Sequence, residues 1–192
     1  SVANINLADL IPQVDQHELP LQDISSTLWL DTQGGDFAEK TADDEKIVAD
    51  LSGSKYNEME AEVCARHVEH LVKHGIKDEH IGVISPYSAQ VARLKKMFHE
   101  LYPGVEIPTV DGFQGREKEV IILSLVRSND NREVGFLKDK RRLNVAITRP
   151  KRHLCVIGDL ELMQQSGVAF LRHWADYAEA HYEIEYPQLD DL

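Results

Sequence analysis

Apolar residues along this chain follow two periods, one that suits a buried strand and one that suits a helix packed by a single face. Residues 27–31 (TLWLD) are the first short apolar run and predict a buried strand, whereas residues 32–55 are polar, acidic and without period, which predicts a loop or insertion. Asn57 and Glu60 then stand at capping-box spacing before Ala61, Cys64, Ala65, Val68, Leu71 and Val72 at helical intervals, so an amphipathic helix is expected to end near Gly75. The continuous run IGVI at 81–84 predicts a strand, and beyond Ser85 and Pro86 the helical period returns through Val91, Leu94, Phe98 and Leu101. A short strand is expected at 107–110, and VIILSLV at 120–126 is too uniformly apolar for a strand with one wet face, so it predicts a central strand covered on both sides. Residues 142–149 read as a helix, 153–157 (HLCVI) as another buried strand, and 168–182 as a closing helix.

Strands alternating with helices of this length predict an α/β fold with a mainly parallel sheet and helices on both faces. The expected organisation is an irregular segment at 1–26, one domain at 27–182 and an acidic tail at 183–192, and 192 residues with 42% apolar content suit a single compact core. No run approaches the roughly eighteen apolar residues of a membrane span. The first ten residues carry neither a basic leader nor an apolar signal core, so a soluble intracellular protein, with no membrane partner, is expected. Cys64 and Cys155 each fall in an apolar run without metal-ligand spacing, which predicts buried reduced thiols.

Charge complicates this picture. Lys and Arg number 21 against 33 Asp and Glu, a formal net charge of −12, whereas a nucleic-acid binder would lean basic. The charges are not evenly spread, however. Acids gather at 36–50, 58–62 and the C-terminus, while residues 138–152 carry Lys138, Lys140, Arg141, Arg142, Arg149, Lys151 and Arg152 against Asp139 alone. One face can therefore bind anions on an acidic molecule.

In an open parallel sheet ligands bind beyond the carboxyl ends of the strands, which directs attention to three junctions. Ser85 and Pro86 suit a helix start, where Ser85 can cap and Pro86 is tolerated; the free amides there can also hold a phosphate, with Tyr87 available to stack on a base. The loop 111–115 (DGFQG) has two glycines that let backbone amides approach a phosphate, or that serve an ordinary turn. It is not a Walker A loop, since GxxxxGK[ST] has no match in the chain. Arg149 ends the third segment before Pro150, where an arginine is already favoured by the helix dipole; alternatively it reaches over the sheet edge toward a phosphate held by a neighbouring domain.

Taken together, VISPYSAQVARLK (83–95), VDGFQGREKEVIILSLVRSN (110–129) and RRLNVAITRPKRHLCVIGD (141–159) resemble motifs IV, V and VI of superfamily-one helicases, in the branch of the immunoglobulin mu-binding-protein and nonsense-mediated-decay helicases. The resemblance implies a RecA-like three-layer sandwich without a P-loop of its own, forming the second of two motor domains with ATP and Mg²⁺ between them. It implies that the Gly115 amide faces the γ-phosphate, Glu117 holds the ribose, and Arg149 is an arginine finger, with Gln114 and Arg142 orienting the site. It implies further that Ser85, Pro86 and Tyr87, with Thr109, Val110 and Asp111, contact the backbone of single-stranded DNA or RNA, and that movement runs 5′ to 3′. The family usually has alanine after the finger arginine; here Pro150 follows. With no P-loop, magnesium acids or adenine-stacking Gln-Tyr-Arg segment in the sequence, the expected partner is a first RecA-like domain of the same polypeptide. The isolated piece is expected to be monomeric and inactive as an ATPase, in a protein of the nucleus or cytoplasm.

Two rival readings remain open at this point. A catalytically silent RecA-like scaffold would bind a basic protein partner through residues 36–50, and the loss of Arg149 or Glu117 would have favoured it. A metal-dependent nuclease would want paired acids at strand ends, for which Glu117-Lys118-Glu119 is the nearest imitation; no metal ligand set is expected.

Overall fold

The computed structural model describes residues 25–35, 37–42, 53–109, 111–113 and 117–187. Its main sheet contains β1 (Thr27–Asp31), β4 (Ile81–Ile84), β5 (Lys118–Ser124), β6 (Pro150–Gly158) and β7 (Glu183–Glu185), in the order β4-β5-β6-β1-β7. Every pairing in it is parallel. The helices are α1 (Glu58–Lys73), α2 (Ser88–Leu101), α3 (Lys140–Thr148), α4 (Leu160–Gln165) and α5 (Ala169–His181).

Successive side chains on a strand point to opposite faces, and the apolar strand runs supply both cores at once. Leu28, Leu30, Ile81, Val83, Val120 and Ile122 pack toward α1 and α2, whereas Trp29, Ile84, Ile121, Leu123, Leu154 and Val156 pack toward α3, α4 and α5. Two helical layers thus cover one sheet, which is the α/β RecA-like sandwich expected. Cys64 and Cys155 are free and buried on the α1 face, and burial pushes both thiols up in pKa, which keeps them protonated and unreactive.

Several expected elements change. The periodless stretch 32–55 contains a small antiparallel pair, β2 (Lys40–Thr41) with β3 (Lys55–Tyr56). The strand expected at 107–110 is absent from its described residues. Glu106 alone bridges Gly82, bonding Ile81 and Val83 through its backbone, and Pro108 has no N–H with which to extend the ladder. The strand expected at 120–126 begins earlier and stops at Ser124, because Val126 adopts φ 73°, a left-handed conformation costly for a β-branched residue. The segment after β6, for which the sequence predicts no element, forms α4, capped by Asp159; six residues are too few to show a helical period. The acidic tail begins as β7, an edge strand on β1, so the folded unit extends past residue 182. A strand whose edge carries Glu183 and Glu185 resists further pairing.

The capping box also forms only in part. Asn57 accepts the Glu60 amide at 3.1 Å, but the Glu60 carboxylate turns into the interior and Gln90 Oε1 accepts the Asn57 amide instead at 3.0 Å. Likewise α2 begins at Ser88 after Tyr87, and its Ala89 amide bonds Ser54 Oγ at 3.1 Å, so Ser54 rather than Ser85 serves this helix start.

Candidate nucleotide and nucleic-acid interface

The expectation that all three motif junctions lie beyond strand carboxyl ends is corrected by the topology. Ser85 to Tyr87 follow β4 and occupy the carboxyl edge, but Glu117 precedes β5 and Arg149 precedes β6, so those two stand at the amino edge. There, Lys118 pairs with Pro150 and its amide bonds the Arg149 carbonyl at 3.2 Å, which brings Glu117 and Arg149 together through the backbone. Pro150 is accommodated because it is the first residue of its strand. Glu117 is exposed and Arg149 half-buried.

Arg149 is the C-cap residue of α3, and its guanidinium folds back on the helix end, Nε donating to the Val145 carbonyl at 3.1 Å and Nη2 to Thr148 Oγ1 at 2.9 Å. A cation at this place satisfies carbonyls that the helix leaves without partners. Arg142 lies elsewhere. It is exposed at the start of α3, where its amide bonds the capping Asp139 and its Nε lies 3.5 Å from Asp139 Oδ2. Seven residues of helix separate it from Arg149 by about 10 Å along the axis, so the structure does not bring the two arginines together.

Gln114, Gly115 and Val110 fall outside the described residues. Asp111 begins a single 3-10 turn, Asp111–Phe113, and Thr109 is exposed, with its hydroxyl accepting the Gly112 amide at 3.1 Å. Phe113 is fully buried above Gly82, where a Cβ would come within 3.0 Å of its ring, so this turn is anchored by its aromatic residue.

At the carboxyl edge Tyr87 is only 2% exposed, which corrects the expectation that it stacks on a base. Its hydroxyl donates to the Val134 carbonyl at 3.0 Å and accepts from the Phe136 amide at 3.1 Å and from Arg127 Nη1 at 3.3 Å, which uses its whole hydrogen-bonding capacity. Ser85 is buried as well, its Oγ accepting the Tyr87 amide at 3.4 Å, and Pro86 is half-buried. These residues shape the edge from below it.

A buried network that sequence patterns did not reveal adjoins them. Glu60 Oε1 accepts from Ser124 Oγ at 2.9 Å and from the Val126 amide at 3.0 Å, while Asn57 Nδ2 donates to the Val126 carbonyl at 3.0 Å. Gln90 Nε2 donates to Ser124 Oγ and to the Asn57 carbonyl. Two side chains from the start of α1 therefore hold both backbone groups of the strained Val126. Burial pushes the Glu60 carboxyl up to about 8, with Asp159 adding to the shift. Arg127 follows, buried, with Nε 2.8 Å from Glu39 Oε2.

Beyond β1, where a P-loop would cradle phosphate, the chain forms a cavity of about 650 Å³ whose walls include Gly34, Gly35, Asp130, Arg132, Asp159 and Glu161. Three carboxylates to one guanidinium repel a triphosphate. The residues that line this cavity do not form a phosphate cradle after β1.

Residues 6–161 match the AAA domain family. The chain belongs to that family. Within it, DNA polymerase alpha-associated DNA helicase A of Saccharomyces cerevisiae is 50% identical over 197 residues, covering all of this chain and 28% of that relative. DNA-binding protein SMUBP-2 of Rattus norvegicus is 39% identical over 196 residues, again covering the whole chain and 18% of the relative. ATP-dependent helicase NAM7 of Saccharomyces cerevisiae is 46% identical over 110 residues, 54% of this chain and 11% of the relative. The AAA-family chain is thus a motor-domain piece of a superfamily-one helicase of this branch, its C-terminal RecA-like domain, and it spans less than a third of the length of these relatives.

Proposed function

We propose that this chain is the second motor domain of an ATP-dependent 5′-to-3′ translocase on single-stranded DNA or RNA, and that Arg149 is its arginine finger. The observation that carries this reading is the β5–β6 backbone pairing, which sets Glu117 beside Arg149 at one edge with neither residue buried. ATP and Mg²⁺ are held mainly by a first RecA-like domain of the same polypeptide, and the nucleotide supplies the transferable phosphoryl group. Glu117 binds the ribose hydroxyls, the Gly115 amide faces the γ-phosphate, and Gln114 orients the site. Arg142, about 10 Å along the helix from the finger, orients α3 through Asp139.

Arg149 leaves hydrogen bonds at its own helix end, those to Val145 and Thr148 among them, when it turns toward nucleotide. Such partly exposed bonds contribute about 1 kcal/mol each, small beside the roughly 4–7 kcal/mol that a finger contributes to phosphoryl transfer. Closure of the two domains brings the finger into place, and strand contacts that differ between open and closed states move the motor. Thr109, Val110 and Asp111 make those contacts, beside a wall that buried Ser85 and Tyr87 and half-buried Pro86 support from beneath. Contact with the backbone rather than base edges makes movement indifferent to sequence. The isolated chain is monomeric and does not hydrolyse ATP, and the whole protein works in the nucleus or cytoplasm.

The test is ATP hydrolysis by the full-length protein carrying this chain, with and without a single strand, comparing Arg149→Ala with wild type. A fall of about a thousandfold with ATP binding retained supports the finger. Unchanged hydrolysis in a folded variant removes Arg149 from the site and favours a silent scaffold.

A further inference from the structure

Tyr87 is buried, yet the loop it supports presents another aromatic residue to solvent. Between Val134 and Leu137, both buried, Phe136 points outward and is 55% exposed. It sits in the single 3-10 turn Gly135–Lys138, and its ring lies 5.5 Å from the Tyr87 ring at a tilt of 48°. A phenylalanine left half in water forfeits much of the hydrophobic stabilisation its ring could supply, so a position that holds one rigidly calls for a reason.

The rigidity is built. Tyr87 Oη clamps the turn on both sides of Gly135, donating to the Val134 carbonyl and accepting the Phe136 amide. Gly135 takes φ 52°, and a Cβ there would lie 2.1 Å from Arg127 Nη1 and 2.7 Å from Tyr87 Oη, so the arginine and tyrosine fill the space under the turn. Arg127 is in turn fixed by Glu39. The outward direction of Phe136 is therefore set by a packed polar floor and does not depend on a loose tip.

The surroundings are cationic. Lys138, Lys140 and Arg141 follow within five residues, all exposed and without an ion pair among the described residues. The acids nearest in sequence are engaged, Asp139 capping α3 and meeting Arg142, and Glu133 lying 3.7 Å from Arg127 Nη2. A rigid aromatic face beside unpaired cations is the surface that single-stranded nucleic acid recognises, bases stacking on the ring and phosphates following the charges.

We infer that Phe136, held up by Tyr87, is a base-stacking contact for single-stranded nucleic acid, with Lys138, Lys140 and Arg141 tracking the phosphates. This rests on the strand-binding reading above and adds a residue that motif spacing did not single out. Stacking of one base predicts a five- to hundredfold loss of affinity when the ring is removed.

The experiment is fluorescence anisotropy of the full-length protein at fixed salt on labelled oligothymidylate and on the same backbone made abasic. Phe136→Ala is expected to weaken oligothymidylate binding at least fivefold and Phe136→Trp to stay within twofold of wild type. Phe136→Leu should follow alanine, and the difference between wild type and alanine should vanish on the abasic strand. Because the side chain is exposed, these variants keep the core and should melt with the parent. Full affinity in Phe136→Ala, while Lys140→Ala with Arg141→Ala binds more weakly, overturns the stacking inference and leaves the strand reading standing. Full rescue by leucine, or an equal loss on the abasic strand, also overturns stacking. No binding of either strand by wild type overturns the strand reading itself.

Discussion

The two edges of the sheet are built in opposite ways. At the amino edge, Glu117 and Arg149 are positioned by main-chain pairing between β5 and β6 and by the end of α3, and Arg149 bonds carbonyl and hydroxyl groups of its own helix. At the carboxyl edge, Asn57, Glu60, Gln90, Ser124, Arg127 and Tyr87 are buried and cross-linked by side-chain bonds between segments far apart in the chain. The difference teaches that main-chain pairing and a helix end can place charged side chains without burying them, whereas the carboxyl edge is stiffened from beneath by side chains. Buried polar networks can do this because each unmade bond is costly in a low-dielectric interior.

The contrast can be broken by substitution. Arg149→Ala should reduce strand-stimulated ATP hydrolysis of the full-length protein by about 10³ or more while costing the fold about 2 kcal/mol, the order of its hydrogen bonds to the end of α3. If the chain instead unfolds readily, the amino edge is structural and the distinction fails. Asn57→Ala should act mainly on the fold. It removes a helix cap and strands buried groups at Phe37 and Val126, so chemical denaturation should find about 3 kcal/mol less stability. Gly135→Ala forces a side chain into Arg127 and Tyr87 at a left-handed φ and should cost about 2 kcal/mol by the same assay, with weaker strand binding as the turn shifts.

The carboxyl edge can also be probed by pH. Glu60 is pushed up to about 8 in the folded chain from an ordinary value near 4.5, so the folded state holds a proton that the unfolded state has released between those values. Its contribution is fully present below the unfolded value and is lost as pH rises through the folded one. Glu60→Gln carries no titrating group, so between pH 5 and 8 its stability should decline by about 1.4 kcal/mol less per pH unit than wild type. Parallel stability curves for the two proteins would mean that Glu60 is ionised in the fold.

Much of this was legible in the chain. Continuous apolar runs announced doubly covered strands, and helical spacing announced α1, α2, α3 and α5, because period is a local property that burial on one face or two imposes directly. The motif residues placed the chain in its family before any geometry was considered. The edge to which Glu117 and Arg149 belong was legible too: a residue just before a parallel strand lies at its amino end, and the general rule about carboxyl ends obscured this. α4 and β7 were too short to register.

Other features had no local signal. Tyr87 reads as an available stacking residue until Val134, Phe136 and Arg127, from 40 to 49 residues away, close over it and use its hydroxyl. Glu60 reads as half of a capping box until Ser124 and Val126, 64 and 66 residues distant, draw it inward. Period and motif determine which segments become strands and helices and which family they serve. Only the assembled sheet decides which polar groups it buries and which aromatic ring is left outside, because those outcomes depend on contacts between segments that no spacing along the chain encodes.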